Sequence, residues 1–445
     1  MSEFTLHHGD CIEVMRGMAS DSVDAIVTDP PYELGFMGKG WDKTGIANDP
    51  VMWAEALRVL KPGGHLLAFS GSRTYHRMVC AIEDAGFEVR DQIMWLYGSG
   101  FPKSLNVAKA IESGGGRPED IRRMQLGADY EPSGRGRANY DHGAGSAMDA
   151  GATAWTPATE AARQWQGWGT ALKPAHEPIC VARKPLVGTV AANVLAHGTG
   201  ALNIDGCRVE PTGESRERVG EASQDRRYTD AGGTNFAATP GIRGGDPAGR
   251  WPANVIHDGS DEVLSAFPQA KGQQGEVGPQ HGAKSSVNVY GDYGPRGQFE
   301  PRGDTGSAAR FFYCAKASRS DRNEGLVDPG PQFKKGSTLR DAENLNATGD
   351  RKGNFHPTVK PTDLMRYLVR LVTPPGGTVM DMFMGSGSTG KACALEGFRF
   401  VGIDMTEEYV RIAQARIDAS RPKQEAASSL AGNDKDQSDL FGSAA

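Results

Sequence analysis

No cysteine spacing typical of a metal site occurs in this chain. The six cysteines, Cys11, Cys80, Cys180, Cys207, Cys314 and Cys393, are scattered and read as reduced thiols of a cytoplasmic protein. There is no signal peptide and no apolar run long enough to cross a bilayer, so no membrane partner is expected. There is also no excess of positive charge, since the net charge is −6 over 445 residues. Binding to nucleic acid would then rest on a local basic patch and not on an overall field. Internal repeats are missing. The adjacent histidines His7 and His8 would point to opposite faces of a strand, which disfavours joint ligation. What remains is a chain long enough for two or three domains.

Against these absences stands the tetrapeptide Asp29-Pro30-Pro31-Tyr32. It follows the apolar run Ala25-Ile26-Val27 and should sit just past the C-terminal end of a buried strand. That edge is where ligands collect in open α/β sheets. Two prolines fix φ twice and remove two N–H donors while leaving their carbonyls free. A carboxylate, a rigid carbonyl and an aromatic ring are thereby held together. This set suits a planar exocyclic amine, with two acceptors for its N–H groups and a ring to stack on its base. A proline-rich turn closed by a core tyrosine is the plainer alternative.

A second pattern lies about 350 residues downstream, at Asp381-Met382-Phe383-Met384-Gly385-Ser386-Gly387-Ser388-Thr389-Gly390. A short apolar strand enters a glycine-rich turn, and a helix follows. A second strand, Phe400–Ile403, ends at Asp404, whose carboxylate can accept ribose hydroxyls. The glycines and the later acid spell a dinucleotide fingerprint, which fits NAD or another adenosine-bearing cofactor. Asp381, ahead of the glycines, can meet a cationic amino group. That feature and the amine-binding tetrapeptide favour S-adenosylmethionine over an NAD-dependent oxidoreductase.

With both patterns in order, the chain resembles the beta-class amino-methylating DNA methyltransferases, the N6-adenine/N4-cytosine family. Three more segments carry the resemblance. One is His356-Pro357-Thr358-Val359-Lys360-Pro361. The others are Trp168 with Lys173–Ile179, and Ala182–Pro185, which resemble a stretch of phage-type members. Met382 departs from the family's usual proline, which bears on loop stiffness. The resemblance implies a methyl transfer from S-adenosylmethionine to a flipped-out base in double-stranded DNA. Adenine N6 is expected, and cytosine N4 is the alternative. It implies a catalytic role for Asp29, Pro30, Pro31 and Tyr32. It implies cofactor contacts from Asp10, Asp29, Lys360, Pro361, Asp381, Phe383, Gly385, Ser386, Gly387 and Asp404. By itself Asp10 reads as a helix cap, and Lys360 as a solvated charge at a helix start. A homodimer stays open, and the chain names no restriction partner. Proteins that methylate glutamine or RNA share related tetrapeptides but carry the cofactor glycines upstream.

Strands and helices alternate in residues 1–105 and again in 341–420, so the expected fold is α/β. It is a doubly wound, mostly parallel sheet of the methyltransferase type with a long inserted recognition region. The reading gives a strand at Val23–Thr28, a helix at Trp53–Leu60 stopped by Lys61-Pro62-Gly63-Gly64, and a strand at His65–Ser70. A helix at Thr74–Ala85, a strand at Val89–Trp95 and a helix at Thr362–Leu371 follow. Residues 106–340 are glycine-rich and weakly periodic, and are expected to carry target recognition with part of their length disordered. Residues 173–185 are expected to return to the sheet. Gly114–Gly116 and Ser133–Arg137 read as loops, and 421–445 as a disordered tail.

Overall fold

In the computed structural model the described residues are 3–34, 44–100, 104–113, 155–210, 221–222, 242–243, 248–271, 305–315, 321–326 and 353–421. The loops expected at Gly114–Gly116 and Ser133–Arg137, and the tail, lie outside them. Nine strands form one sheet. They are β1 (Phe4–His8), β2 (Val23–Thr28), β3 (Leu60–Phe69), β4 (Glu88–Leu96), β5 (His176–Arg183), β6 (Val255–His257), β7 (Tyr313–Cys314), β8 (Thr378–Asp381) and β9 (Arg399–Asp404). Their spatial order is β1-β9-β8-β2-β3-β5-β4-β6-β7. The β1–β9, β9–β8, β8–β2, β2–β3, β4–β6 and β6–β7 pairings are parallel, and β5 runs against β3. The expected α/β class and mostly parallel sheet are what the structure shows. None of the helices among the described residues is long and apolar enough to cross a membrane.

The helices of this sheet are α1 (Cys11–Arg16), α2 (Pro50–Val59), α3 (Tyr75–Asp84), α4 (Val190–His197), α5 (Asp261–Ala266), α6 (Thr362–Val372), α7 (Ser388–Glu396) and α8 (Glu407–Ser420). Asp10 caps α1 by accepting the N–H groups of Ile12 and Glu13, as a residue of that type before an apolar run should. One core cluster joins Met15, Ile26, Trp53, Leu66, Met380 and Ile403, so residues from both ends of the chain share it. All six residues of β2 are buried, which fits a central parallel strand.

One expectation needs correcting. Lys61-Pro62-Gly63-Gly64 does not stop a helix and turn. The helix begins earlier, with Pro50 in its first turn and Asp49 as its cap, and β3 starts directly at Leu60. The pairing of β2 with β3 slips there, from Val23–Leu60 to Ala25–His65. The four residues form an irregularity inside the strand, with Gly63 at φ +75°. Asp24 pins it. Its buried carboxylate accepts from Lys61 Nζ at 2.5 Å and from the Thr378 amide at 2.7 Å.

The chain forms two compact units, Met1–Leu96 with Glu177–Ala445, and Tyr97–His176. β5 is the expected return of residues 173–185 to the sheet, and β6 and β7, also from the stretch between 106 and 340, join it. Strands of two or three residues carry too little periodicity to be read from sequence. In the smaller unit, a helix at Val107–Glu112 meets one at Glu160–Gln164. Glu112 accepts the amides of Ala158 and Thr159 at 2.6 and 2.8 Å.

Asp24→Ala should cost about 2 kcal/mol, because it strands a strand-start amide and a half-buried ammonium. Denaturant unfolding of the variant measures this; a loss within 0.5 kcal/mol, the usual scatter of surface changes, would contradict the assigned role.

Candidate functional site

The glycine-rich turn after β8 is shaped by space as well as by φ. Gly385 and Gly387 have φ of +51° and +78°. A Cβ on Gly385 would lie 2.8 Å from His356 Nε2, and one on Gly387 2.7 Å from Ala413 Cβ. Only glycine satisfies both limits. The Gly385 amide donates to Asp404 Oδ2 at 2.9 Å, and the Thr406 amide to Asp404 Oδ1 at 2.8 Å. Asp404 thus ends β9 beside the turn. Burial raises its pKa against the pull of those amides. Burial lowers the His356 pKa to about 4, so a neutral imidazole covers the turn. Its ring packs edge-on against Tyr409 at 4.5 Å.

Asp381 faces inward. Its Oδ1 accepts from Thr28 Oγ1 at 2.7 Å and from the Phe383 amide at 3.1 Å, and its Oδ2 from Thr389 Oγ1 at 2.6 Å. Burial pushes its carboxyl up to about 6 despite these donors. Ser386 also faces inward, its carbonyl and hydroxyl accepting from Arg416 Nη1 at 2.6 and 3.1 Å. Arg416 is fully buried. Asp321 stands behind the turn, ion-paired with Lys391 and holding the Thr362 amide and hydroxyl at 2.8 and 2.6 Å. Asp321 thereby caps α6, whose N-cap position is Pro361. Phe383 is half-buried against the core cluster.

At the end of β2 the tetrapeptide faces a compact ionic cluster. Lys360 Nζ donates to Asp29 Oδ2 at 2.7 Å and to Tyr32 Oη at 3.1 Å. It also lies 3.2 Å from Glu177 Oε2. Tyr32 Oη donates to the same Glu177 oxygen at 2.9 Å. Burial works against the Lys360 ammonium, but Asp29 and Glu177 outweigh it and hold the pKa above the usual lysine value. Burial first, then the two carboxylates, push the Tyr32 hydroxyl well above its ordinary range. Thr74 Oγ1 donates to the Tyr32 carbonyl at 2.7 Å and fixes the loop. Lys360 also sits over the rings of Phe69 and Tyr32, at 4.8 and 5.3 Å. The other Asp29 oxygen, Oδ1, is buried without a hydrogen-bond partner among the described residues.

The structure therefore brings together most residues singled out by sequence. Asp29, Tyr32 and Lys360 are in direct contact. Gly385 and Asp404 are bonded, and Thr28, next to Asp29, ties to Asp381. Pro30 is buried and Pro31 half-buried at the same strand end. Asp381 and Ser386 hold the turn from within, Asp381 through three donors and Ser386 through Arg416. Glu177, Thr28, Thr389 and Asp321 were not singled out. Glu177 had a signal, because an acid just before an apolar strand lies at a strand end. Among the described residues no group of three His, Cys, Asp or Glu is placed to hold a metal ion.

The Type II methyltransferase M2.DpnII of Streptococcus pneumoniae is 30% identical over 117 residues, 26% of this chain and 44% of that protein. M2.LlaDCHI of Lactococcus lactis subsp. cremoris is 27% identical over 116 residues, 26% of this chain and 43% of that protein. The chain thus matches less than half the length of these relatives. Among solved structures, the PvuII cytosine-N4-specific DNA methyltransferase is 13% identical at a TM-score of 0.40, over 94% of this chain and 86% of that one. The family model described as DNA methylase, N6_N4_Mtase, matches residues 23–415, and the chain belongs to that N6/N4 DNA methylase family.

Proposed function

We propose that this chain transfers a methyl group from S-adenosylmethionine to the exocyclic N6 of adenine in double-stranded DNA. One observation carries the reading: the buried, unpartnered Oδ1 of Asp29, held in place through Oδ2 by Lys360. A buried acceptor without a donor costs free energy in the free protein and is supplied with one by an amine. The cofactor fits the residues present. Beside the Gly385–Gly387 turn stands Asp404, a carboxylate whose two oxygens each accept one amide and keep acceptor capacity for a ribose.

When bound, S-adenosylmethionine supplies an electrophilic methyl on a sulfonium. The residues of the chain do the rest by position. The amine of a nucleobase is a poor nucleophile because its lone pair is delocalised into the ring. Asp29 Oδ1 and the Pro30 carbonyl accept its two N–H groups and localise that lone pair. The nitrogen so localised would take the methyl that the donor supplies, leaving a neutral thioether, and Asp29 would receive the proton that the amine sheds. A base inside a duplex must be flipped out to reach this edge. Tyr32 stacks on it, a contact worth about 1–3 kcal/mol. Lys360 and Pro361 border the cofactor side, with Lys360 tethering Asp29. Asp10 is a cap first, and its contact with the adenine of the cofactor belongs to this proposal. Target recognition is assigned to the stretch 106–340 outside its three sheet strands.

Asp29→Asn should lower methylation by at least about a hundredfold, far more than the few-fold loss of S-adenosylmethionine affinity that follows from removing one negative charge. Asp404→Ala should weaken S-adenosylmethionine roughly tenfold or more, since it strands ribose hydroxyls and the Gly385 amide. Calorimetry and single-turnover assays separate the two. Equal affinity losses in both variants would reverse the roles. Digestion of methylated DNA with mass spectrometry should yield N6-methyladenine. N4-methylcytosine would correct the base and leave the mechanism.

A further inference from the structure

Glu177 enters the cluster from β5, on the strand that runs against its neighbour β3. Because β5 is antiparallel, its first residues lie at the carboxyl edge that the parallel strands leave. The pairing of Phe69 with Ile179 fixes this register. Glu177 Oε2 meets both Tyr32 Oη and Lys360 Nζ, at 2.9 and 3.2 Å. The side chains of Glu177 and Asp29 are each 18% exposed and that of Lys360 is 9% exposed. Two carboxylates therefore share one ammonium. Without Glu177 the Lys360–Asp29 pair would be neutral. With it, the cluster keeps one net negative charge in a poorly solvated place.

We infer that Glu177 is a positioning residue that keeps the site anionic toward a cationic methyl donor. This rests on the reading that the chain uses S-adenosylmethionine. The donor carries a positive sulfur before transfer and a neutral thioether after it. A net negative cluster therefore favours the donor over S-adenosylhomocysteine, aiding both loading and product release. Glu177 acts through Lys360 by drawing part of its ammonium away from Asp29, so that Asp29 keeps its strength as an acceptor. Its hydrogen bond to Tyr32 fixes the ring but carries no charge.

The test is the ratio of affinities for S-adenosylmethionine and S-adenosylhomocysteine, measured by calorimetry on the full chain at pH 8. Loss of one charge near the sulfonium should cut that ratio in Glu177→Gln by roughly threefold to tenfold. Glu177→Asp and Tyr32→Phe keep the charge and should keep the ratio. Lys360→Met adds a net negative charge and should move the ratio the other way, which supplies an independent arm if Glu177→Gln melts early. A Glu177→Gln chain whose two affinities fall together would show a structural role only and overturn the inference. So would Tyr32→Phe reproducing the Gln effect, or Lys360→Met leaving the ratio in place. A wild-type chain that binds neither compound and yields no methylated nucleoside would undo the proposed function itself. That outcome is distinct from binding with an unmoved ratio.

Discussion

The carboxylate of Asp381 is the joint on which the site depends. It accepts one hydroxyl from the end of β2, one from the start of α7 and one amide from the turn between them. The strand that ends at Asp29 and the turn that carries Gly385 are thereby set to each other. An ionised group in such burial is costly, and its three donors offset only part of that cost. The folded-state pKa near 6 stands above the ordinary 3.8. By linkage, the stabilisation from its protonated form is complete below 3.8 and gone once pH rises past about 6. At neutral pH the carboxyl is ionised, and the three donors that favour the charged form hold the joint.

Much of this was legible from residues alone. Asp29–Tyr32 and Asp381–Asp404 announce themselves because apolar strands run straight into rigid or glycine-rich turns, and both patterns depend only on neighbours in the chain. Asp10 as a cap is equally local. What was not legible is long-range. Nothing near Asp381 in sequence says that Thr28 will face it, so its tie to the end of β2 could not be read there. The bulge at Lys61–Gly64 reads as a turn because its glycines and proline are turn residues. Only the partner Asp24, from another strand, shows why the strand continues through it. Glu177 lies in a stretch that was noticed, but its role needs the direction of β5, which no periodicity reports.

The buried charges behind the turn follow the same logic. Arg416, Lys391 and the part-buried Asp321, joined by the exposed Glu324, come from three distant segments, yet each finds an opposite charge or a carbonyl. Burying such groups is tolerated only when they are paired and hydrogen-bonded. The gain is rigidity: the peptide at Ser386 is gripped by Arg416, and the start of α6 by Asp321. Lys360, one residue before the Pro361 cap position, is then delivered to Asp29 by a helix that cannot shift its register.

The pairing of β2 with β8 also has a consequence for how the chain is made. Val379 sits opposite Ala25, so the fully buried β2 must wait for a neighbour about 350 residues away. At ribosomal rates of about 5–20 residues per second, that wait is roughly 20 to 70 s. Throughout it, an apolar strand has one unpaired edge, the kind of surface on which chains aggregate. Yield of soluble protein should therefore depend on temperature and chaperone supply during synthesis more than on the stability of the finished fold.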